Sequence, residues 1–442
     1  MSSETSSYLR RLSVWDAAMI VIGGVIGAGI FRTPSTIAER TAGGMQMMAL
    51  WVIGGLVTLA GALCFAELGA RRPQAGGTYI YLREAWGPLP AFLCGWTIAL
   101  IVYPGNVAAV ATTFADYLCP VLGLPPVFVQ PLAVAAIVLI VGINLFGVRA
   151  GAWVQNIFTV LKLLAIALLV MVGLVLARTQ LGLAFAPPEK TSVSSWTLVG
   201  AMMPVMFAYG GFNYVNNLAG EVRDPQRTLP RALGLGMVGV IACYVLVNLA
   251  YLVGLGHAGL AASQAPAADV MSRLFGSHGA TVIALGIACS TFGYCNVALS
   301  GGARVLQTMG ADGLFFPAVG KVDARFHVPR LALIVLGVWS IVLTLSGTFG
   351  QLLNYATVGD WLGYAAGIAT LFWYRKHTAD EAVSYRVPLF PWLPLVFIAV
   401  VFGVVAVTAI NAPGDAGMSL LIIALGAPVY YGWQRWSRRR PA

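Results

Sequence analysis

The sequence predicts an all-α integral membrane protein with twelve transmembrane helices, and three observations predict it. Of its 442 residues, 59% are apolar and only 10% are charged, against roughly 25% charged in ordinary soluble domains. Apolar runs of roughly 20 residues, each long enough to cross a bilayer, recur from one end of the chain to the other. Lysine and arginine then divide very unevenly between the connections of those runs.

In chain order the runs fall at 14–38, 46–70, 86–118, 127–146, 152–177, 195–218, 232–256, 279–307, 331–347, 351–374, 391–410 and 416–433. The first follows a polar start, is interrupted by glycines and has no small-residue cleavage site after it. It therefore reads as a spanning helix and not as a signal peptide. Twelve crossings put both ends on one side. With the N-terminus in the cytoplasm, the inside segments hold 20 of the 26 lysines and arginines. The outside segments hold Arg32, Arg40, Arg178, Lys190 and Arg273, and Lys162 is left within a span. This split accounts for the net charge of +10 without any nucleic acid. It predicts a multi-pass protein of the plasma (inner) membrane, with cytoplasmic tails at 1–13 and 434–442. The six cysteines form no CxxC pair, and the four histidines fall in or beside polar connections with no HExxH. No metal or cofactor is expected.

Span 1 carries Gly23-Gly24-Val25-Ile26-Gly27-Ala28-Gly29, four glycines in seven residues. Each costs about 1 kcal/mol in a helix interior relative to alanine. Two readings are open: close helix packing through small residues, or a break. A break is tolerated in lipid only where it lines a cavity or is buried in protein. The half-helix after it would offer free N–H groups to a carboxylate. Span 6 repeats the feature in Phe207-Ala208-Tyr209-Gly210-Gly211-Phe212-Asn213, about 182 residues later. Five spans separate the two, so they run in opposite directions. Paired interruptions in two inverted halves point to a transporter's binding site.

Lys162 lies about ten residues into span 5. A charge there costs at least ~2.5–3.5 kcal/mol on insertion scales. It either snorkels to the cytoplasmic face or turns inward to backbone carbonyls released in span 1, where an ammonium would do the work of a bound sodium ion. Glu67, four residues before Arg71, is either an interfacial carboxylate beside arginines or a titrating group. Asp360 in span 10 is either a proton-binding group or a residue lining the external vestibule.

These motifs carry a resemblance. The chain resembles the amino acid–polyamine–organocation superfamily, and within it looks most like the L-amino acid transporter family. The matching stretches include Gly27-Ala28-Gly29-Ile30-Phe31, Cys64-Phe65-Ala66-Glu67-Leu68-Gly69, and Gly76-Gly77-Thr78-Tyr79. Further matches are Lys162, the span 6 stretch through Tyr214, Gly220-Glu221-Val222, and Asp224-Pro225-Gln226-Arg227. The resemblance implies a leucine-transporter-like fold, with inverted repeats at 14–177 (helices 1–5) and 195–374 (helices 6–10) and two further helices within 391–433. It implies a substrate carboxylate at the amides of Gly27, Ala28 and Gly29, beside Ile26. The ammonium would meet carbonyls near Ile22, Val25 and Phe207 or Tyr209, with Ala208, Gly210, Gly211 and Asn213 completing the site. Phe207 would be an aromatic gate, and Lys162 would tie span 5 to span 1. Three positions depart from the family pattern. Ala28 replaces a serine, Phe212 replaces a tryptophan, and Asp360 stands where relatives usually have a neutral residue. Animal members pair with a glycoprotein through a disulfide after span 3. Cys119 lies near the membrane boundary there, so no obligatory glycoprotein partner is expected.

The expected function is alternating-access transport of L-amino acids, neutral ones in the first instance, by sodium-independent exchange or facilitated movement. A proton-coupled symporter, with Asp360 or Glu67 titrating, is the neighbouring alternative. A membrane nutrient receptor on a transporter scaffold would usually carry an added signalling domain or tail, and both termini here are short. A membrane enzyme would need a grouped His, Asp or Ser cluster near one face, and the sequence offers none.

Overall fold

The computed structural model describes residues 8–184, 193–346 and 349–437, so Lys190 and Arg438, Arg439 and Arg440 lie outside it. Among the described residues the chain is helical apart from turns and one isolated bridge between Leu12 and Val222. The helices are α1 (Val14–Val25), α2 (Gly29–Glu39), α3 (Gly44–Arg71), α4 (Thr78–Trp86), α5 (Pro88–Thr97) and α6 (Tyr103–Val121). Then come α7 (Val129–Leu145), α8 (Val148–Ala184), α9 (Ser195–Tyr209), α10 (Tyr214–Asn217), α11 (Pro225–Ala262) and α12 (Pro266–Ala311). The last four are α13 (Arg330–Leu345), α14 (Phe349–His377), α15 (Trp392–Asn411) and α16 (Pro413–Ser437).

Each predicted span has its counterpart. Spans 1, 3 and 6 are composite: α1 with α2, α5 with α6 across a π-turn at Ile98–Val102, and α9 with α10. Helix α4 was not anticipated. Its nine residues include Arg83 and Glu84, so it is too short and too polar to register as a span. Helices α11 and α12 run 38 and 46 residues, longer than the ~20 residues that cross a hydrocarbon core. Both bend at a glycine in the left-handed region, Gly256 (φ 70°) and Gly276 (φ 55°). The sequence reading ended those spans near the same points but left the short segments beyond them as loop.

Side chains pack inward around α1, α3, α6, α8, α11 and α12. Outward, Leu139, Leu164, Leu235, Val338 and Phe402 are each more than half exposed. Such a belt would be a liability in water and is the expected surface in lipid.

The polar groups collect at two ends. At one, Glu67 receives five hydrogen bonds, from Arg71, Arg375 and the Val387 amide. Arg72 bridges Glu84 and Glu381, and its hydrogen bonds hold the Glu381 carboxyl below the usual range. Arg83 pairs with Asp312, and Arg304 with buried Glu221. At the other end Arg32 pairs with Asp116 at 2.8 Å, and Arg40 donates to the Gly200 carbonyl at 3.2 Å.

Candidate functional site

Helix α1 begins at a capping box, in which Ser13 Oγ accepts from the Asp16 amide and Asp16 accepts from the Ser13 amide. It ends where Ile26 turns extended (φ −76°, ψ 91°). Gly23 and Gly24 are still helical. They serve packing: a Cβ on Gly23 would lie 1.7 Å from Gln155 Nε2, and one on Gly24 3.0 Å from the Gly211 carbonyl. Both readings of the glycine cluster therefore hold, at different residues. The first pair packs, and Ile26, Gly27 and Ala28 form the break. In span 6 the break follows Tyr209. Gly210 is extended and Gly211 has φ +90°, with room for only a hydrogen because a Cβ would sit 2.3 Å from the Gly24 carbonyl. The two broken spans touch there and again at Gly29, whose Cβ would lie 2.6 Å from Ala208 Cα.

Breaking a helix leaves backbone groups that need partners. Lys162, fully buried, donates to Gly23 O at 3.2 Å and Ile26 O at 2.5 Å. It turns inward and does not snorkel. Ser290 of α12 reaches Ile26 O and Gly27 O. Tyr244 of α11 lies 3.1 Å from Val25 O and 2.9 Å from Ala208 O. The Gly211 amide donates to Tyr364 Oη at 3.1 Å, and Tyr364 in turn donates to Asp360. Beyond these, the amides of Ala28, Gly29 and Ile30 have no acceptor among the described residues.

These bonds redraw the predicted set. The Gly27 amide is held by Val25 O at 2.9 Å, and Ile22 O accepts from Ile26 N at 2.9 Å. The amide is thereby occupied, while Ile22 O keeps a second lone pair. Tyr209 points away, its hydroxyl on Trp51 O and its ring against Trp51 and Tyr244. Phe207 O accepts from the Gly210 amide, while the Phe207 ring remains half-buried. Glu67 is fully engaged in its ion pairs, as the interfacial alternative had it.

Two cavities flank the breaks. The first, about 400 Å³, is lined by Ala28 and Phe207 of the two broken spans, by Thr33, Thr113 and Thr357, and by Arg32 and Arg40. The second, about 290 Å³, lies among α5, α6, α14 and α16 and is lined by Asp360, Asn213, Tyr364 and Thr78. Asp360 thus lines the second cavity and is absent from the lining of the first. Thr357 of the same helix lines the first, and three residues add a rise of about 4.5 Å and a turn of about 60° off that line. Asn213 donates weakly to Thr78 Oγ1 at 3.4 Å, and its buried Oδ1 has no partner.

Sequence reasoning missed Tyr244, Ser290 and Tyr364. The signal was present: each is a hydrogen-bonding side chain deep within an apolar span, where a polar group needs a reason. It missed as well a buried relay in which Asn296 joins Asn144 to Gln155, and Ser300 extends it towards Arg304.

Comparison with known proteins gives a consistent picture. Residues 12–428 match the amino acid permease family. The b(0,+)-type amino acid transporter 1 of Mus musculus is 31% identical, over 98% of this chain and 92% of its own. The serine/threonine exchanger SteT of Bacillus subtilis is 29% identical, over 98% and 99%. The human cystine/glutamate transporter is 29% identical, over 97% and 86%.

Proposed function

The chain belongs to the amino acid permease family, and on that premise we propose that it carries L-amino acids, neutral ones among them, by sodium-independent exchange or facilitated movement. The observation that carries the reading is the pair of broken spans in contact beside a cavity, with the Ala28, Gly29 and Ile30 amides left unserved. In this reading the substrate carboxylate takes those amides at the start of α2. The substrate ammonium takes whichever of Val25 O and Ala208 O the Tyr244 hydroxyl leaves bare, and Phe207 closes over it. The Lys162 ammonium, fixed between Gly23 O and Ile26 O, supports the absence of a sodium requirement. The exchanger named among the relatives supports counter-transport.

The halves 14–177 and 195–374 would rock against each other about the breaks. The arginine-rich end would face the cytoplasm of the inner membrane with both termini, leaving the vestibule outside. Burial of Cys119 supports independence from a disulfide-linked glycoprotein.

The test is uptake of a panel of radiolabelled amino acids into sodium-free proteoliposomes, with and without unlabelled amino acid inside. Uptake that requires internal substrate is expected. Monodisperse protein that moves none of the panel would sink the proposal, and uptake driven only by an inward proton gradient would replace exchange with symport.

A further inference from the structure

We propose that the cavity beside Asp360 is a side-chain subsite that takes the ammonium of a basic amino acid. The inference rests on the transport reading and extends its substrates from neutral to basic side chains. Glu67, Glu84, Asp116, Glu221 and Asp312 each pair with an arginine. Asp360 differs: its hydrogen bond comes from Tyr364, and no arginine, lysine or histidine pairs with it among the described residues. A carboxyl group within a membrane span that lacks a cation partner is a functional-site candidate, open to a proton or to a larger cation. Beside it the buried Asn213 Oδ1 is a second acceptor without a donor, and it lines the same cavity.

Size and lining choose between the cations that could answer. A site for one water needs roughly 10–15 Å³ on a comparable measure, and an alkali ion needs little more. About 290 Å³ is many times that. Asp360 and Asn213 supply acceptors to a lining that is otherwise mostly apolar, with Leu82, Leu93, Ile98 and Leu420 among its walls. An apolar stem with a cationic tip matches such a lining, and that is the shape of a lysine side chain. Distance agrees. From the Gly211 amide, 3.1 Å to Tyr364 and one further hydrogen bond reach Asp360, so the charge lies within about 6 Å of the span 6 break. The extended stem of lysine covers about 6 Å at bond lengths near 1.5 Å. A lysine whose Cα comes to the Gly211 side of the span 6 break could therefore place its ammonium on Asp360.

The experiment compares lysine with norleucine, which has a similar stem and no side-chain ammonium, in proteoliposomes holding the full chain. Wild-type protein is expected to take up both. Asp360→Asn is expected to lower the ratio of lysine to norleucine uptake at least tenfold. An unchanged ratio, or wild-type protein that moves norleucine and ignores lysine, overturns the subsite and leaves the transport reading standing. No uptake of either, or of any other amino acid, overturns the transport reading itself. A readout independent of any variant uses Cys94, which lines the same cavity. Alkylation of Cys94 by N-ethylmaleimide in wild-type protein, followed by mass spectrometry, is expected to slow at least threefold more with lysine than with norleucine. Equal slowing by the two, or slowing by sodium chloride but not by lysine chloride, overturns the proposal.

Discussion

In span 1 the carbonyls freed by the break are gripped by a charged side chain, Lys162 on Gly23 O and Ile26 O. In span 6 the freed groups go to neutral phenols, the Gly211 amide to Tyr364 and the Ala208 carbonyl to Tyr244. Charge-assisted hydrogen bonds are roughly twice as strong as neutral ones. The first break is therefore pinned to α8, and the second is latched to α14 and α11 by bonds of ordinary strength. The continuations differ as well. Beyond the first break α2 runs eleven residues, and beyond the second α10 runs four. A stiff, pinned break thus stands beside a short, lightly latched one, and in the proposed function span 1 would hold substrate while span 6 yields.

Four substitutions sharpen or break this contrast. The largest effect is expected at the contact itself. Gly29→Val pushes a branched side chain into Ala208, where even a Cβ would meet Cα at 2.6 Å, so exchange should fall to background. Size-exclusion chromatography should still show inserted, monodisperse protein, and normal uptake would mean that the breaks need not touch. Next comes Lys162→Ala. It removes two charge-assisted bonds worth about 1.5–3 kcal/mol each and should slow exchange about a hundredfold or more. Wild-type kinetics would show that nothing is pinned. Tyr364→Phe leaves the Gly211 amide and Asp360 without their shared hydroxyl. A loss of about 1.5 kcal/mol, or roughly tenfold in exchange rate, is expected. A loss as large as that of Lys162→Ala would erase the difference between pin and latch. Smallest is Ser290→Ala, which removes a neutral donor from carbonyls that at Ile26 keep Lys162. About 1 kcal/mol and a fivefold rise in KM are expected, and a hundredfold loss would make the hydroxyl and not the ammonium the main grip on span 1.

What could be read from the sequence follows what each signal measures. Apolar runs measure the need to satisfy backbone in lipid, so every span was found, while α4, too short to cross, was not. Glycine density located both breaks to within a few residues. It could not say that Gly23 and Gly24 pack against Gln155 and Gly211 while Ile26 does the turning, because that depends on which neighbour lies opposite. The inward turn of Lys162 was foreseeable, since a charge in an apolar span must find acceptors and broken backbone provides them. The positions of Tyr209 and Asp360 were not. Each depends on the rotation of its helix about its own axis, which a span that is apolar almost all round does not encode. Tyr209 turned to Trp51, and Asp360 lines the second cavity and not the first.

Tyr244 brings an imbalance in numbers to the centre of the molecule. Its phenol has one hydrogen, and two carbonyls lie within reach, Val25 O at 3.1 Å and Ala208 O at 2.9 Å, one on each break. Whichever it serves, a lone pair on the other stays bare, and no rearrangement of the hydroxyl can cover both. At the proposed site a primary ammonium arrives with three hydrogens and ends the shortage outright, with nothing to evict. A simple carboxylic acid of the same shape brings none, while a hydroxy acid brings the one hydrogen that the count requires. Discrimination against the acid without an amine would then come from counting hydrogens and owe nothing to steric fit.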